Sequence, residues 1–279
     1  MLEEAQRELS NLVNAILSDD RIRSEFNLFD ASVSQKLWST KYYCNELLRL
    51  EVHSPSVSPS LSYTESITAT TLVTPLIDYV IKPFENYTYS TESPTSKALP
   101  EDILDYYRHL NRLLDGFFMN AMSALDTIAH QISTLYVLEK IYEDKDIYIG
   151  LVAEMLRTYH DNSKVRKVVR EVVDRDLREG WFKEFSPFRH CTTHESLILL
   201  DDIHIIPDPL TRNIQVSEII LPDNPKVRPF TQHNKKEATS YCQSTLNNIQ
   251  SLVSEIYKSI LLDIHIAEYR LPIPPNVLV

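Results

Sequence analysis

Arg189, His190 and His194 fall within six consecutive positions of the stretch PFRHCTTHE, Pro187 to Glu195. Arginine carries a permanently charged planar fork that matches phosphate oxygens. Histidine is the side chain best able to give and take protons near neutral pH. An arginine and a histidine aimed at one phosphate make a minimal kit for metal-free cleavage of RNA. The histidine moves protons between the ribose 2′-OH and the leaving oxygen, and the guanidinium stabilises the charge that builds up in the transition state. The rest of the chain concentrates no comparable chemistry.

Other chemistries fit the same residues less well. His190, Cys191 and His194 invite a zinc reading, but zinc takes four ligands and no second Cys/His cluster with paired spacing is present. Cys191 beside a histidine suggests a nucleophile pair, yet neighbours in sequence rarely point together and triad partners come from distant segments. A plain alternative stays open: Arg189 and His194 cap a helix end or brace the segment that follows.

Several elements must position this stretch. A helix is expected from Asn162 or Ser163 to about Phe185, with Val165, Val168, Val169, Val172, Val173 and Leu177 as its buried stripe. Trp181, Phe182, Phe185 and Phe188 form an aromatic cluster that reads as core anchoring the motif, which then sits in a turn after that helix. The alternative is a set of base-stacking platforms. The longest helix is expected from Pro100 to about Leu138, opened by Pro100, Glu101 and Asp102. Asp126 and His130 share a face of it. They read either as an Asp–His hydrogen bond of the bundle or, for Asp126, as a carboxylate supporting the Arg–His site.

Upstream, helices are expected over residues 2–17, from an N-cap at Asp30 to about Leu50, and from Ile67 to about Tyr87 with a bend at Pro75. The Ser/Pro-rich stretches at residues 54–62 and 90–100 read as loops, the second as the best boundary. A further helix is expected over residues 147–159. After the motif the period changes. Leu197–Ile206 and Ile214–Leu221 are short and β-branched, and they read as a hairpin. Pro222 to Pro229 reads as loop. A last helix follows from about Lys235 to Tyr269, and the apolar tail LPIPPNVLV is fit to dock on a partner chain.

The run Arg189-His190-Cys191-Thr192-Thr193-His194 resembles the HEPN signature, in which an Arg and a polar residue are followed by three more residues and then a His. The resemblance covers roughly the last two-thirds of the chain, and its context of long helical patterns fits. It implies an all-helical fold, usually dimeric, in which many members are metal-independent endoribonucleases of toxin–antitoxin, CRISPR or anti-phage systems. It further implies catalytic roles for Arg189 and His194, with His190 orienting or assisting. A polar residue on an early helix often stands near the site in such proteins, which suits Asp126. A non-catalytic HEPN-like scaffold or partner-binding module is the competing expectation.

Composition bounds these readings. The chain has 279 residues, 43% of them hydrophobic, enough for a substantial core. Only 3 glycines occur and neither GxGxxG nor GxxxxGK[ST] is present, which excludes Rossmann and P-loop readings. Cys44, Cys191 and Cys242 are odd in number and widely spaced, which suits a reducing cytoplasm rather than a disulfide framework. The N-terminus MLEEAQRELS is acidic and amphipathic, unlike a signal peptide. No apolar run approaches the ~18 residues of a membrane span. A net charge of −11 opposes nucleic-acid binding, but residues 1–160 carry 23 acids against 13 bases, and residues 161–279 carry 16 against 15. The basic runs Lys164, Arg166, Lys167, Arg170 and Lys226, Arg228, Lys235, Lys236 flank the motif. They read equally as an RNA-binding rim and as solvated faces.

The expectation is therefore a mainly α protein. It has an N-terminal helical region (residues 1–95) and a HEPN-like helical domain (96–279) with an inserted β-hairpin at about 197–221. The expected protein is a cytoplasmic, homodimeric endoribonuclease that acts on RNA without metal or cofactor, with an antitoxin or defence-system protein as a further partner.

Overall fold

The computed structural model describes residues 2–17, 19–52, 67–68, 101–136, 138, 147–159, 163–176, 180–191, 202–207, 214–226 and 236–266. These are mainly helical. The helices are α1 (Leu2–Ile16), α2 (Asp20–Val52), α3 (Glu101–Leu135), α4 (Ile149–Tyr159), α5 (Lys164–Asp176), α6 (Trp181–His190) and α7 (Ala238–Ile266). Four strands, β1 (Ile67–Thr68), β2 (Asp202–Pro207), β3 (Ile214–Leu221) and β4 (Lys236–Glu237), make one sheet in that order. Among the described residues no helix is long and apolar enough to cross a membrane. The chain divides into two compact units. Unit 1 comprises Met1–Thr40, Asn120–Phe185 and Thr245–Val279, and unit 2 comprises Lys41–Met119 and Ser186–Ser244.

In unit 1, Ala5, Leu9 and Val13 recur every four residues and are buried along one stripe of α1. Gln6 and Ser10 bond to Asp30, and Asn27 donates to Asn14, so α1 and the start of α2 run antiparallel. Helix α2 begins ten residues before the expected cap. Its N-cap is Asp19, whose Oδ1 accepts from the backbone N of Arg21 at 2.9 Å and of Ile22 at 3.3 Å. Asp30 lies inside the helix instead, and its carboxylate is satisfied by side chains from other helices.

Helix α3, the longest at 35 residues, carries the core of both units. Leu125, Ile128, Ile132 and Leu135 are fully buried in unit 1, and Leu110, Leu114, Phe117 and Phe118 in unit 2. From α7, Ile249, Val253, Ile256, Tyr257 and Ile260 are fully buried in unit 1. Helices α4 and α5 pack on each other.

The single helix expected from residue 163 to 185 is two helices. Helix α5 ends at Asp176, and α6 starts at Trp181 after Gly180. Glycine is about 1 kcal/mol poorer than alanine in a helix interior. Here it stands at the head of α6, where its carbonyl accepts from Glu184 N.

The expected hairpin is present in unit 2. β2 and β3 pair antiparallel from Asp202↔Ile220 to Pro207↔Ile214, with an irregularity between His204 and Ile205. The helix expected from Ile67 is contradicted at its start. Ile67 and Thr68 form a strand paired with Ile203 and Asp202, as suits their β-branched side chains. Residues 69–87 of that expected helix lie outside the described residues, as do the loops at 54–62 and 90–100 and the tail at 271–279. The last helix begins at Ala238 rather than Lys235. Lys236 and Glu237 pair with Leu221 and Ile220 as strand, and Glu237 then caps α7 by accepting from Thr239 N at 2.8 Å and Ser240 N at 2.6 Å.

Candidate active site

Arg189 and His190 are the last two residues of α6, so the motif begins on the helix and not in the turn after it. His194 lies outside the described residues, as do Arg228 and Lys235. Pro187 is inside α6 and brings no N–H to the ladder, so the carbonyl one turn earlier loses its helical donor. Cys191, the residue after α6, is in π geometry, a distortion frequent at functional sites. His190 is half-buried and Cys191 is buried.

The residue before Arg189 fixes this turn in unit 2. Phe188 is fully buried and stacks on Phe118 with ring centroids 4.8 Å apart and planes 11° apart. Tyr241, near the start of α7, packs on Phe188 at 5.5 Å and on Phe118 at 6.2 Å. In unit 1, Phe185 is fully buried among Trp181 and Phe182, which are half-buried. Phe185 and Phe188 thus belong to the core, and their faces are closed to bases.

The basic residues differ in their freedom. Lys226 is exposed. Lys236 is half-buried, its Nζ donates to the carbonyl of Asp223 at 3.2 Å, and it lies 5.7 Å from the centroid of the Tyr241 ring. In unit 1, Lys167 and Arg170 are exposed on α5, while Lys164 is half-buried at its first position. Asp126 is half-buried on α3 in unit 1, whereas Arg189 and His190 belong to unit 2. The His130 ring stacks on Phe29 at 5.5 Å.

The polar centres of unit 1 escape a reading by motif. Asp30 accepts from Gln6 Nε2 at 2.8 Å, Ser10 Oγ at 2.8 Å, Tyr257 Oη at 3.3 Å and Gln131 Nε2 at 3.5 Å. Asp263, on α7, accepts from Lys164 N at 2.7 Å, Val165 N at 3.2 Å and Tyr136 Oη at 2.6 Å. Together with Ser163 Oγ, which accepts from Arg166 N at 3.0 Å, it satisfies the open end of α5. Burial, then the neighbouring carboxylates, push the phenols of Tyr136 and Tyr257 well above the usual tyrosine range. Both act as fixed donors. The sequence signal for Asp30 is the pair Gln6 and Ser10, two polar residues four apart on one face of α1.

Burial raises the Cys44 thiol to about 11, and burial with the nearby Cys44 and Glu237 raises Cys242 well above its usual value. Both are held as thiols, the unreactive form. Among the described residues no group of three or more His, Cys, Asp or Glu is arranged to hold a metal ion. No protein-family model, no curated protein and no solved structure matches the chain.

Proposed function

We propose that the chain is a HEPN-type endoribonuclease that cleaves RNA by transesterification without a metal. The observation that carries this reading is the Arg189-His190-x3-His194 spacing, its first two residues set on the distorted last turn of α6 in a mainly helical protein. The attacking group is the substrate's own 2′-OH, so no protein nucleophile is needed. His194 acts as general acid/base and His190 orients or assists. Arg189 stabilises the charge on the phosphorane-like transition state. Asp126 supports the site. Lys164, Lys167, Arg170, Lys226, Arg228, Lys235 and Lys236 attract the RNA backbone. A homodimer that sets two such motifs face to face compensates for the small inventory per chain. The reading extends to a cytoplasmic toxin or anti-phage effector, with an antitoxin or another defence-system protein as partner.

The test is turnover of single-stranded RNA in the presence of EDTA. Wild-type protein yields a 2′,3′-cyclic phosphate, and a substrate with 2′-deoxyribose at the scissile position is inert. His194→Ala abolishes cleavage with the far-ultraviolet circular dichroism unchanged. Arg189→Lys is nearly as damaging as Arg189→Ala, because a point charge does not replace the planar fork. With the two proton-transfer roles on two histidines, the rate peaks between their pKa values. Full activity of His194→Ala, or cleavage of the deoxy substrate, refutes the mechanism.

A second reading, a non-catalytic helical module that binds a partner protein, draws on the net charge of −11 and on the engagement of Lys236 with Asp223. A wild-type chain that turns over no RNA under these conditions favours it.

A further inference from the structure

We propose that Tyr241 is a positioning residue for the Arg189–His190 turn, acting through Phe188; the proposal rests on the nuclease reading for its catalytic consequence and on packing alone for its mechanical one. The last turn of α6 has a weakened frame of its own. Pro187 takes one N–H out of the ladder, and the turn ends in π geometry at Cys191. Its placement therefore depends on the side chain it buries. That side chain is Phe188, held between Phe118 at 4.8 Å and Tyr241 at 5.5 Å.

Tyr241 is itself held in place. It follows the Glu237 cap of α7 by four residues, and the Lys236 ammonium, bonded to the Asp223 carbonyl, lies 5.7 Å from its ring centroid. A line of contacts runs from the Asp223 turn through Lys236 and Tyr241 to Phe188, the residue next to Arg189. Lys236 thereby also takes part in the support of the site. Replacing the Tyr241 ring with a smaller side chain opens space beside Phe188 and frees the turn to tilt. A displacement of about 1 Å at a reacting group costs on the order of 100-fold in rate.

The experiment compares four full-length proteins on a fluorogenic single-stranded RNA in EDTA: wild type, Tyr241→Phe, Tyr241→Leu and Phe26→Leu. Phe26 is fully buried in unit 1, so its variant controls for loss of packing elsewhere. Tyr241→Phe, which keeps the ring, stays within a few-fold of wild type. Tyr241→Leu loses roughly 10- to 100-fold in kcat with KM nearly unchanged, as expected for a displaced group. Phe26→Leu lowers Tm but keeps kcat. The proposal is overturned if Tyr241→Leu cleaves at the wild-type rate, or if Phe26→Leu loses as much kcat. Hydrogen exchange of the amides from Phe188 to Cys191 separates the two claims. Faster exchange there in Tyr241→Leu, absent in Phe26→Leu, supports the mechanical role; unchanged exchange overturns it, whatever the activity. A wild-type chain that cleaves nothing overturns the nuclease reading and Tyr241's part in catalysis, and exchange still decides the mechanical role.

Discussion

Removing the Asp263 carboxylate should be one of the costlier single changes at a half-buried position. Asp263 does three things at once. It caps α5 through Lys164 N and Val165 N, it places a negative charge at the positive end of that helix, and it accepts the hydroxyl of Tyr136, which is only 1% exposed. Loss of an N-cap acceptor costs about 1 kcal/mol. Loss of the favourable charge costs a further ~0.5 kcal/mol. Loss of the Tyr136 hydroxyl's bond to a charged acceptor costs about 1.5–3 kcal/mol. Asp263→Ala should therefore destabilise unit 1 by about 3–4 kcal/mol, or roughly 6–15 °C in Tm for a protein of this size class. Asp263→Asn keeps an acceptor oxygen and should lose only about 1 kcal/mol.

The shared bond makes the prediction sharp. Tyr136→Phe removes the donor of the bond that Asp263→Ala breaks, so the double variant should be more stable than the sum of the single losses implies, by about 1–3 kcal/mol. Urea unfolding followed by circular dichroism at 222 nm gives all four corners of the cycle. A loss under 1 kcal/mol for Asp263→Ala, or strict additivity in the cycle, refutes the account.

Two further outcomes follow from the packing and the buried phenols. Gly116→Ala should destabilise the protein by up to about 2 kcal/mol, although glycine to alanine in a free helix gains about 1 kcal/mol, because overpacking costs ~1–3 kcal/mol. The added methyl would stand 2.5 Å and 2.8 Å from Cζ and Cδ1 of Tyr43 and closer still to Cε1. In a Tyr43→Ala background the same change should become stabilising, and thermal melts of the four proteins read the change of sign. Raising the pH above about 10 should lower the stability of the fold. Tyr136 and Tyr257 have folded pKa values above the unfolded value of about 10, so their contribution is complete below that pH and is lost as the solution passes through the folded values. Tyr136→Phe with Tyr257→Phe should flatten the fall of unfolding free energy between about pH 10 and pH 11, and an unchanged slope refutes the assignment.

The helices announced themselves where one face is apolar and its period is regular. Leu9 and Val13 on α1, and Leu110 to Leu135 on α3, could be placed from spacing alone because burial follows periodicity. The hairpin was legible for the same reason, with a period near two and β-branched residues. What escaped depends on partners distant in sequence. Asp30 looks like an N-cap because an aspartate before an apolar stripe usually is one. It sits inside α2 because Gln6, Ser10, Gln131 and Tyr257 bring donors to it from three other helices. Ile67 and Thr68 continue an apolar pattern that suits a helix or a strand. Pairing with β2, more than a hundred residues away, decides between them.

The candidate site shows the same division on a smaller scale. Arg189, His190 and His194 stand out in the sequence because their chemistry would be local to a few residues, and the aromatic cluster before them reads as core from its spacing, as Phe185 and Phe188 are. The support of Phe188 by Tyr241 is not legible, because it joins helices separated by about fifty residues and depends on which way α7 enters from β4. Lys236 is the clearest case. By sequence it is one of four basic residues in a stretch without acid, a natural phosphate contact. In the fold it pairs as strand, donates to Asp223 and lies near the Tyr241 ring. A motif identifies groups that can react, but their aim is set by residues whose own sequence context suggests another task. A search for function in a chain like this one therefore gains most from the residues that pack behind the motif, Phe118, Phe188 and Tyr241, before the charges arrayed around it.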